Sequence, residues 1–441
     1  MEDAYVIYGG KPLKGNIKLS GAKNIALKVI IASLLFENEV VLHNIPRIND
    51  VFALLDLIKH LGGTFEFNNN TLRLQGKTLE KNRVDLLHGS HLRASFMLFA
   101  PLLHRFKECY VPNPGGCRIG ARPIDRIVDG MKQMGVRIAY DSETGYYHAT
   151  LSEKTHGTYR FQKPSHTGTE LLILLGIMGN GRSVIHNAAL EPEIDELIRF
   201  LNAGGAKVRR DNNTIIIDPV DSLSQKEPFT IISDRNEAVT YATLAIATKG
   251  DIVIHDARPN LLKKFLAELA KVGGGIEKLE ENQLRFFYKG DIKSSRIETA
   301  PHPGFMTDWQ PNWAVLMTQA NGESIIGERV FENRFSYVDE LKKVGAEIDY
   351  VKLPVSDPRE YFFFNFDPKK KYNQTIRIKG QQELHGGALT IADLRAGATL
   401  AIAALIAEGE SVISGASILE RGYERFVEKI RMIGGSIKKY D

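Results

Sequence analysis

The sequence predicts a two-domain α/β protein built from split βαβ layers, and three observations carry that prediction. One segment type recurs along the chain, its helices are rich in small and apolar residues, and its strands are β-branched. The copies end in LGGTFEF from Leu61, MGVRIAY from Met134, AGGAKV from Ala203, VGGGIEK from Val272, VGAEIDY from Val344 and IGGSIKK from Ile433. Their spacing is about 70 residues, longer for the last interval, which makes about six units. At roughly 150 residues per domain, a chain of 441 residues accommodates two or three domains, and two domains of three units each fits best.

Each element of the unit has its own signal. In EPEIDELIRFLNAGGAKV, residues 191–208, the apolar Ile194, Leu197, Ile198 and Leu201 fall at helical spacing. Pro192 opens that helix and the glycine pair closes it before a strand. SVIHNAA, residues 183–189, and DIVIHDA, residues 251–257, read as strands. The polar stretches 154–168 and 352–374 interrupt the repeat and argue against a uniform solenoid. The glycine pairs terminate helices; none has the GxGxxG order of a dinucleotide loop, and no Walker A motif is present.

Composition removes several classes of function. Lysine and arginine number 57 against 53 acidic residues, mixed along the chain, so the basic stripe of a nucleic-acid binder is missing. The start, Met1-Glu2-Asp3-Ala4, is acidic where a secretory signal is basic. The apolar run 25–36 is broken by Lys28 and too short to cross a bilayer. A soluble, unprocessed, cytoplasmic protein without membrane or nucleic-acid partners is the expectation. Cys109 and Cys117 are the two cysteines, with no CxxC or His/Cys cluster around them, so neither a disulfide framework nor a zinc site is expected.

The chemistry concentrates in a few stretches. VPNPGGCRIGARPIDRIVDG, residues 111–130, sets Cys117 in a Pro/Gly loop between Arg118 and Arg122, where neighbouring guanidiniums favour the thiolate and make the thiol reactive. Cys109, among strand-like residues, reads as a small buried hydrophobe. LSGAKNIALK, from Leu19, places Lys23 and Asn24 where a strand gives way to a helix, and backbone N–H groups plus an ammonium suit a phosphate. A solvated lysine near a cap is the alternative. In APHPGFMTDWQPNWA, residues 300–314, Asp308 stands near a helix start; an N-cap carboxylate is the ordinary explanation, and a general base the functional one if it lies in a cleft. Arg93 opens an otherwise apolar helix, Arg334 and Arg395 stand at element ends, and several arginines with one lysine suit a ligand bearing both phosphate and carboxylate.

These motifs, from LSGAKN through PGGCRIGARPID, NAALEPEI, PHPGFMTDWQ and FENRF to ADLRAGA, resemble the UDP-N-acetylglucosamine 1-carboxyvinyltransferases, enolpyruvyl transferases of peptidoglycan synthesis. The resemblance spans essentially the whole chain; the shikimate-pathway transferase shares the repeat but lacks the cysteine loop. It implies an inside-out α/β barrel of two domains, each of three βαββαβ-type units, with the active site in the interdomain cleft. One domain would run over residues 24–230 and carry the cysteine loop; residues 1–23 with 231–441 would form the other, with Lys23 at a hinge. The implied partners are phosphoenolpyruvate and UDP-N-acetylglucosamine, with no metal or other cofactor.

The roles carry over residue by residue as implications of that resemblance. Cys117 resembles the acid that protonates the methylene carbon of phosphoenolpyruvate and can capture that substrate covalently. Asp308 resembles the base for the sugar 3-hydroxyl. Lys23 and Arg122 resemble phosphate ligands, and Arg334 and Arg395 carboxylate ligands. Asn24, Arg93, Pro123, Ile124, Asp125, Lys163, Ser165, Asp308 and Val330 resemble sugar-nucleotide contacts. The chain departs from the family pattern in SDRNEAVTYA, where Asn236 and Val239 replace an apolar residue and a glycine, and in KPSHTGTE, residues 163–170, where Pro164, His166 and Thr167 are substituted. The same chemistry on another UDP-amino sugar, or UDP-sugar binding without turnover, are the alternatives.

Overall fold

The computed structural model describes residues 3–116 and 123–440. Its contacts divide the chain into two compact units, one formed by the segments up to Ser20 and from Ser233, the other by Gly21–Gly116 with Pro123–Ile232. Among the described residues there are six small sheets, three in each unit, as the recurring segment predicts.

Five of the sheets share one order: a parallel edge strand, then three strands in antiparallel pairing. Ser183–His186, for instance, lies parallel to Gly157–Arg160 and antiparallel to Thr214–Asp218, which pairs onward with Lys207–Asp211. The sixth sheet has three strands, Glu108–Pro112, Tyr146–Thr150 and Arg137–Asp141, and a lone parallel bridge from Arg83 to Tyr110 stands where the fourth strand would pair. The chain ends meet in one sheet, where Ala4–Tyr8 lies between Glu410–Ser414 and Ser436–Tyr440.

The turn that closes each repeat has a simple cause. A helix that ends and reverses into a strand needs a left-handed residue, and glycine adopts it without a Cβ penalty. Gly62 has φ of 100° and Gly434 of 88°.

Behind the sheets lie helices buried on all faces, which an amphipathic surface helix could not be. In the unit from Ser233 these are Arg235–Ala247, Gln310–Met317 and Leu394–Ile406, and each packs on the other two. Gly397 lets Leu394–Ile406 lie close to the segment that leads into it: a Cβ there would come 2.9 Å from Ile391 Cγ2. The other unit buries Lys23–Ser33 and His166–Ile177 in the same way. Between them Arg93 opens not an α-helix but a 3₁₀ segment, Arg93–Leu98, that runs into the α-helix Phe99–Phe106. The buried helices bring their few polar residues into low dielectric, so each charge there must find a partner. Among the described residues, no helix is long and apolar enough to cross a membrane.

Candidate active site

In the unit from Ser233, three of the residues singled out in the sequence meet directly. Asp308 precedes Gln310–Met317, whose N-cap is Trp309 and which has no side-chain cap bond, so Asp308 does not serve as a cap. Its carboxylate instead accepts from Arg334 Nη2 at 2.7 Å and from Arg395 Nε at 3.3 Å. Both arginine side chains are buried, whereas the Asp308 side chain keeps 21% of its surface exposed. Burial alone would raise the Asp308 carboxyl; the guanidiniums of Arg334 and Arg395 outweigh it and hold the group well below the usual carboxylate range. At neutral pH Asp308 is therefore ionised and, so paired, a weak base.

Neighbouring acids hold this centre in place without competing for it. Glu328, fully buried, accepts from the hydroxyls of Thr299 and Thr307 and from the backbone N–H of Val330 at 2.7 Å. Thr307 in turn accepts from Arg334 Nη1 at 2.7 Å. Asp393 caps Leu394–Ile406 through the N–H groups of Arg395 and Ala396, and takes the Ser336 hydroxyl on its other oxygen. Both carboxylates are thus committed to neutral donors, and the guanidiniums turn to Asp308. Buried Arg334 Nε has no hydrogen-bond partner among the described residues, which leaves donor capacity at the centre.

In the other unit Lys23 opens Lys23–Ser33, whose N-cap, Ala22, offers no side chain to the first-turn N–H groups. The lysine is not solvated: its Nζ lies 2.6 Å from Asp50 Oδ2, with both side chains more than nine-tenths buried. Asn24 and Arg93 are half-buried, Ile124 is buried, and Pro123 and Asp125 are exposed at the start of Asp125–Gln133. Lys163 is half-buried, and Ser165 caps His166–Ile177 by accepting from Gly168 N at 3.2 Å. Cys117 and Arg122 lie outside the described residues. Cys109 is buried and free, and burial pushes its thiol up, away from reactivity.

Sequence reasoning missed several buried carboxylates: Glu170, Glu328, Asp393 and Asp50. Glu170, fully buried, sits between Lys28 and His166: Lys28 Nζ donates to Oε2, and His166 Nε2 lies 3.1 Å from Oε1. Burial pushes His166 down, but Glu170 outweighs this and raises it; Glu170 itself, raised by burial, is lowered overall by His166 and Lys28. The available signals were a lysine breaking the apolar run from Ile25 and an acid opening the run Leu171–Ile177. Glu328, Asp393 and Asp50 had no such signal.

Comparison with known proteins agrees with this architecture. The EPSP synthase (3-phosphoshikimate 1-carboxyvinyltransferase) family pattern matches residues 7–430. The chain is 37% identical to a UDP-N-acetylglucosamine 1-carboxyvinyltransferase of Bartonella henselae, covering 99% of both. It is 36% identical to the protein of that name from Coxiella burnetii, over 99% of this chain and 96% of the relative. Among solved structures, the enolpyruvyl transferase NikO from Streptomyces tendae superposes with a TM-score of 0.85 at 20% identity over 99% of each chain. EPSP synthase from Acinetobacter baumannii gives 0.71 at 17% over 99% of this chain and 100% of that one. With the repeated sheets, the buried helices and near-complete relatives in agreement, the chain belongs to the EPSP synthase family of enolpyruvyl transferases and, within it, to the UDP-N-acetylglucosamine 1-carboxyvinyltransferases.

Proposed function

We propose that this chain transfers the enolpyruvyl group of phosphoenolpyruvate to the 3-hydroxyl of UDP-N-acetylglucosamine, releasing phosphate, as a cytoplasmic enzyme at the first committed step of peptidoglycan synthesis. The observation that carries the reading is the Asp308 carboxylate shared by two buried arginines and still partly open to solvent.

Addition comes first. Asp308 takes the proton of the 3-hydroxyl, the oxygen bonds to C2 of phosphoenolpyruvate, and Cys117 delivers a proton to the methylene carbon, turning it into a methyl group. The product is a tetrahedral ketal that still bears phosphate. Elimination then breaks the C2–O bond to phosphate while the Cys117 thiolate takes a methyl proton and the departing phosphate takes the proton held by Asp308, which restores the enol ether and both side chains. Lys23 and Arg122 hold the phosphate, and the N–H groups at the start of Lys23–Ser33 favour the same charge.

In this reading the resting ion pairs keep the base switched off. A substrate carboxylate is the chemical twin of Asp308 and competes for Arg334 and Arg395. Each guanidinium donor it withdraws removes a cause of Asp308's low basicity. The sugar hydroxyl therefore meets a competent base only when the three-carbon substrate is in place. Asn24, Arg93, Pro123, Ile124, Asp125, Lys163, Ser165 and Val330 contact the sugar nucleotide in this reading.

Turnover of a panel of UDP-sugars with phosphoenolpyruvate tests the acceptor. UDP-N-acetylglucosamine is expected to be preferred; preference for another amino sugar would reassign it. Cys117→Ala is expected to lose about 10²–10⁴-fold in kcat, the range for a removed acid, while Cys117→Asp, which can also deliver a proton, keeps part of the activity. Equal rates for wild type and Cys117→Ala would remove Cys117 from the mechanism.

A further inference from the structure

Glu328 stands where two neighbouring strands end. Arg296–Glu298 and Glu323–Gly327 run parallel, and Thr299 and Glu328 are the first residues beyond them. Ser324 and Ile326 of the second strand face inward, and by the same alternation Glu328 turns inward and is fully buried. Its Oε1 accepts from the Thr299 hydroxyl at 2.9 Å and from the backbone N–H groups of Val330 at 2.7 Å and Phe331 at 3.1 Å. Its Oε2 accepts from the Thr307 hydroxyl at 2.7 Å and, at 3.4 Å, from Gln310 Nε2.

Arg334 is held from both ends by this arrangement. The loop that leads to it from Glu328 is closed by Gln374, whose Nε2 donates to the carbonyls of Glu328 and Phe331 and whose Oε1 accepts from Asn333 N. Gln310 Nε2 holds the Arg334 carbonyl at 2.9 Å. At the tip of the side chain, Nη1 donates to Thr307 Oγ1 at 2.7 Å. Arginine only donates, so the Thr307 proton goes the other way, to Glu328, and Glu328 thereby aims a lone pair of Thr307 at Nη1. An acid in direct contact would pair with the guanidinium and compete with an incoming carboxylate. The interposed hydroxyl passes on the direction through a neutral contact.

We propose that Glu328 is a positioning residue for Arg334, acting through the Thr307 hydroxyl, and through Arg334 for the carboxylate of the three-carbon substrate. The proposal rests on the reading that Arg334 takes that carboxylate. At rest Nη2 donates to Asp308 while Nη1 donates to Thr307. When the substrate carboxylate takes Nη2 from Asp308, Nη1 keeps its partner. A rotamer-rich side chain is thus spared the ordering that binding would otherwise require.

Steady-state kinetics of Thr307→Val and Thr307→Ser test it, because valine keeps the shape of threonine without the hydroxyl and serine keeps the hydroxyl without the methyl group. In Thr307→Val the KM for phosphoenolpyruvate is expected to rise about tenfold, the loss of one charge-assisted hydrogen bond, with kcat within about threefold and the KM for the sugar nucleotide unchanged. Thr307→Ser is expected to keep that KM within about threefold of wild type. Glu328→Gln keeps an acceptor for the N–H groups of Val330 and Phe331 but turns an NH2 group to Thr307, and is expected to raise the same KM. An unchanged KM for phosphoenolpyruvate in Thr307→Val or Glu328→Gln, equal rises in both KM values of Thr307→Val, or equal losses in Thr307→Ser and Thr307→Val overturn the proposal. If the wild type releases no phosphate, it is the proposed function that has failed. Thermal unfolding of Thr307→Val, Arg334→Met and the double variant then decides on the contact itself: non-additive shifts support it and additive shifts overturn it.

Discussion

Each unit holds a carboxylate gripped by two cations, and the two centres differ in one respect that decides what they can do. Asp308 lies between Arg334 and Arg395 with 21% of its side chain exposed. Glu170 lies between Lys28 and His166 with none. The electrostatics are alike: in both, burial alone would raise the acid and the neighbouring cations more than reverse it. A partly open centre can exchange its carboxylate for a ligand's, whereas a sealed one can only hold its elements together. Charge pairing by itself therefore does not mark a functional site; a buried pairing that stays partly open to solvent is what allows a ligand to enter it.

The comparison breaks most visibly at Asp308. Asp308→Asn keeps the shape and a hydrogen-bonding oxygen but removes the proposed base, and kcat is expected to fall by about 10²–10⁴-fold, measured as phosphate release at saturating substrates. Retention of wild-type kcat would place the base elsewhere.

Glu170→Gln should do the opposite. Leaving Lys28 buried without its counter-charge is expected to cost about 3–5 kcal/mol of stability, read from denaturant unfolding, while kcat per folded molecule stays near wild type. A large loss of kcat without loss of stability would make the sealed centre catalytic and erase the distinction.

The smallest effect belongs to His166→Gln, and its size changes with pH in a defined way. Glu170 raises His166 above its unfolded value of about 6.5, so its contribution is fully present below that pH and is lost as pH rises through the folded value. The gap between wild type and variant is expected to be about 1 kcal/mol in mild acid and to close in alkali. A gap that widened with pH would mean that His166 folds neutral.

Much of the architecture was legible because it is written in local chemistry. Six helix-ending turns need glycine, and the strands between them need β-branched residues, so the repeat count and the α/β class could be read without knowing any contact. The three-stranded sheet was not legible: its missing edge is reduced to the bridge at Arg83, and a single bridge leaves no pattern. The apolar run from Arg93 has helical composition, and composition does not separate a 3₁₀ turn from an α turn.

The site was legible in its cations and obscure in its anions. Arg334, Arg395 and Lys23 stood out by position, but what each one pairs with depends on residues far along the chain, such as Asp308 for Arg395 across 87 positions. Asp308 itself had the look of an N-cap, and only the contacts of its oxygens separate that role from an ion pair. The same holds for Lys23, whose apparent solvation disappears once Asp50 is placed 2.6 Å away.

The central claim, enolpyruvyl transfer to a sugar nucleotide, is tested most directly by incubating the protein with phosphoenolpyruvate, UDP-N-acetylglucosamine or both, and following phosphate together with the mass of the nucleotide product. The account predicts phosphate only when both substrates are present, in step with a nucleotide heavier by one enolpyruvyl group. Absence of phosphate and product with both present, or phosphate released from phosphoenolpyruvate alone, would contradict it.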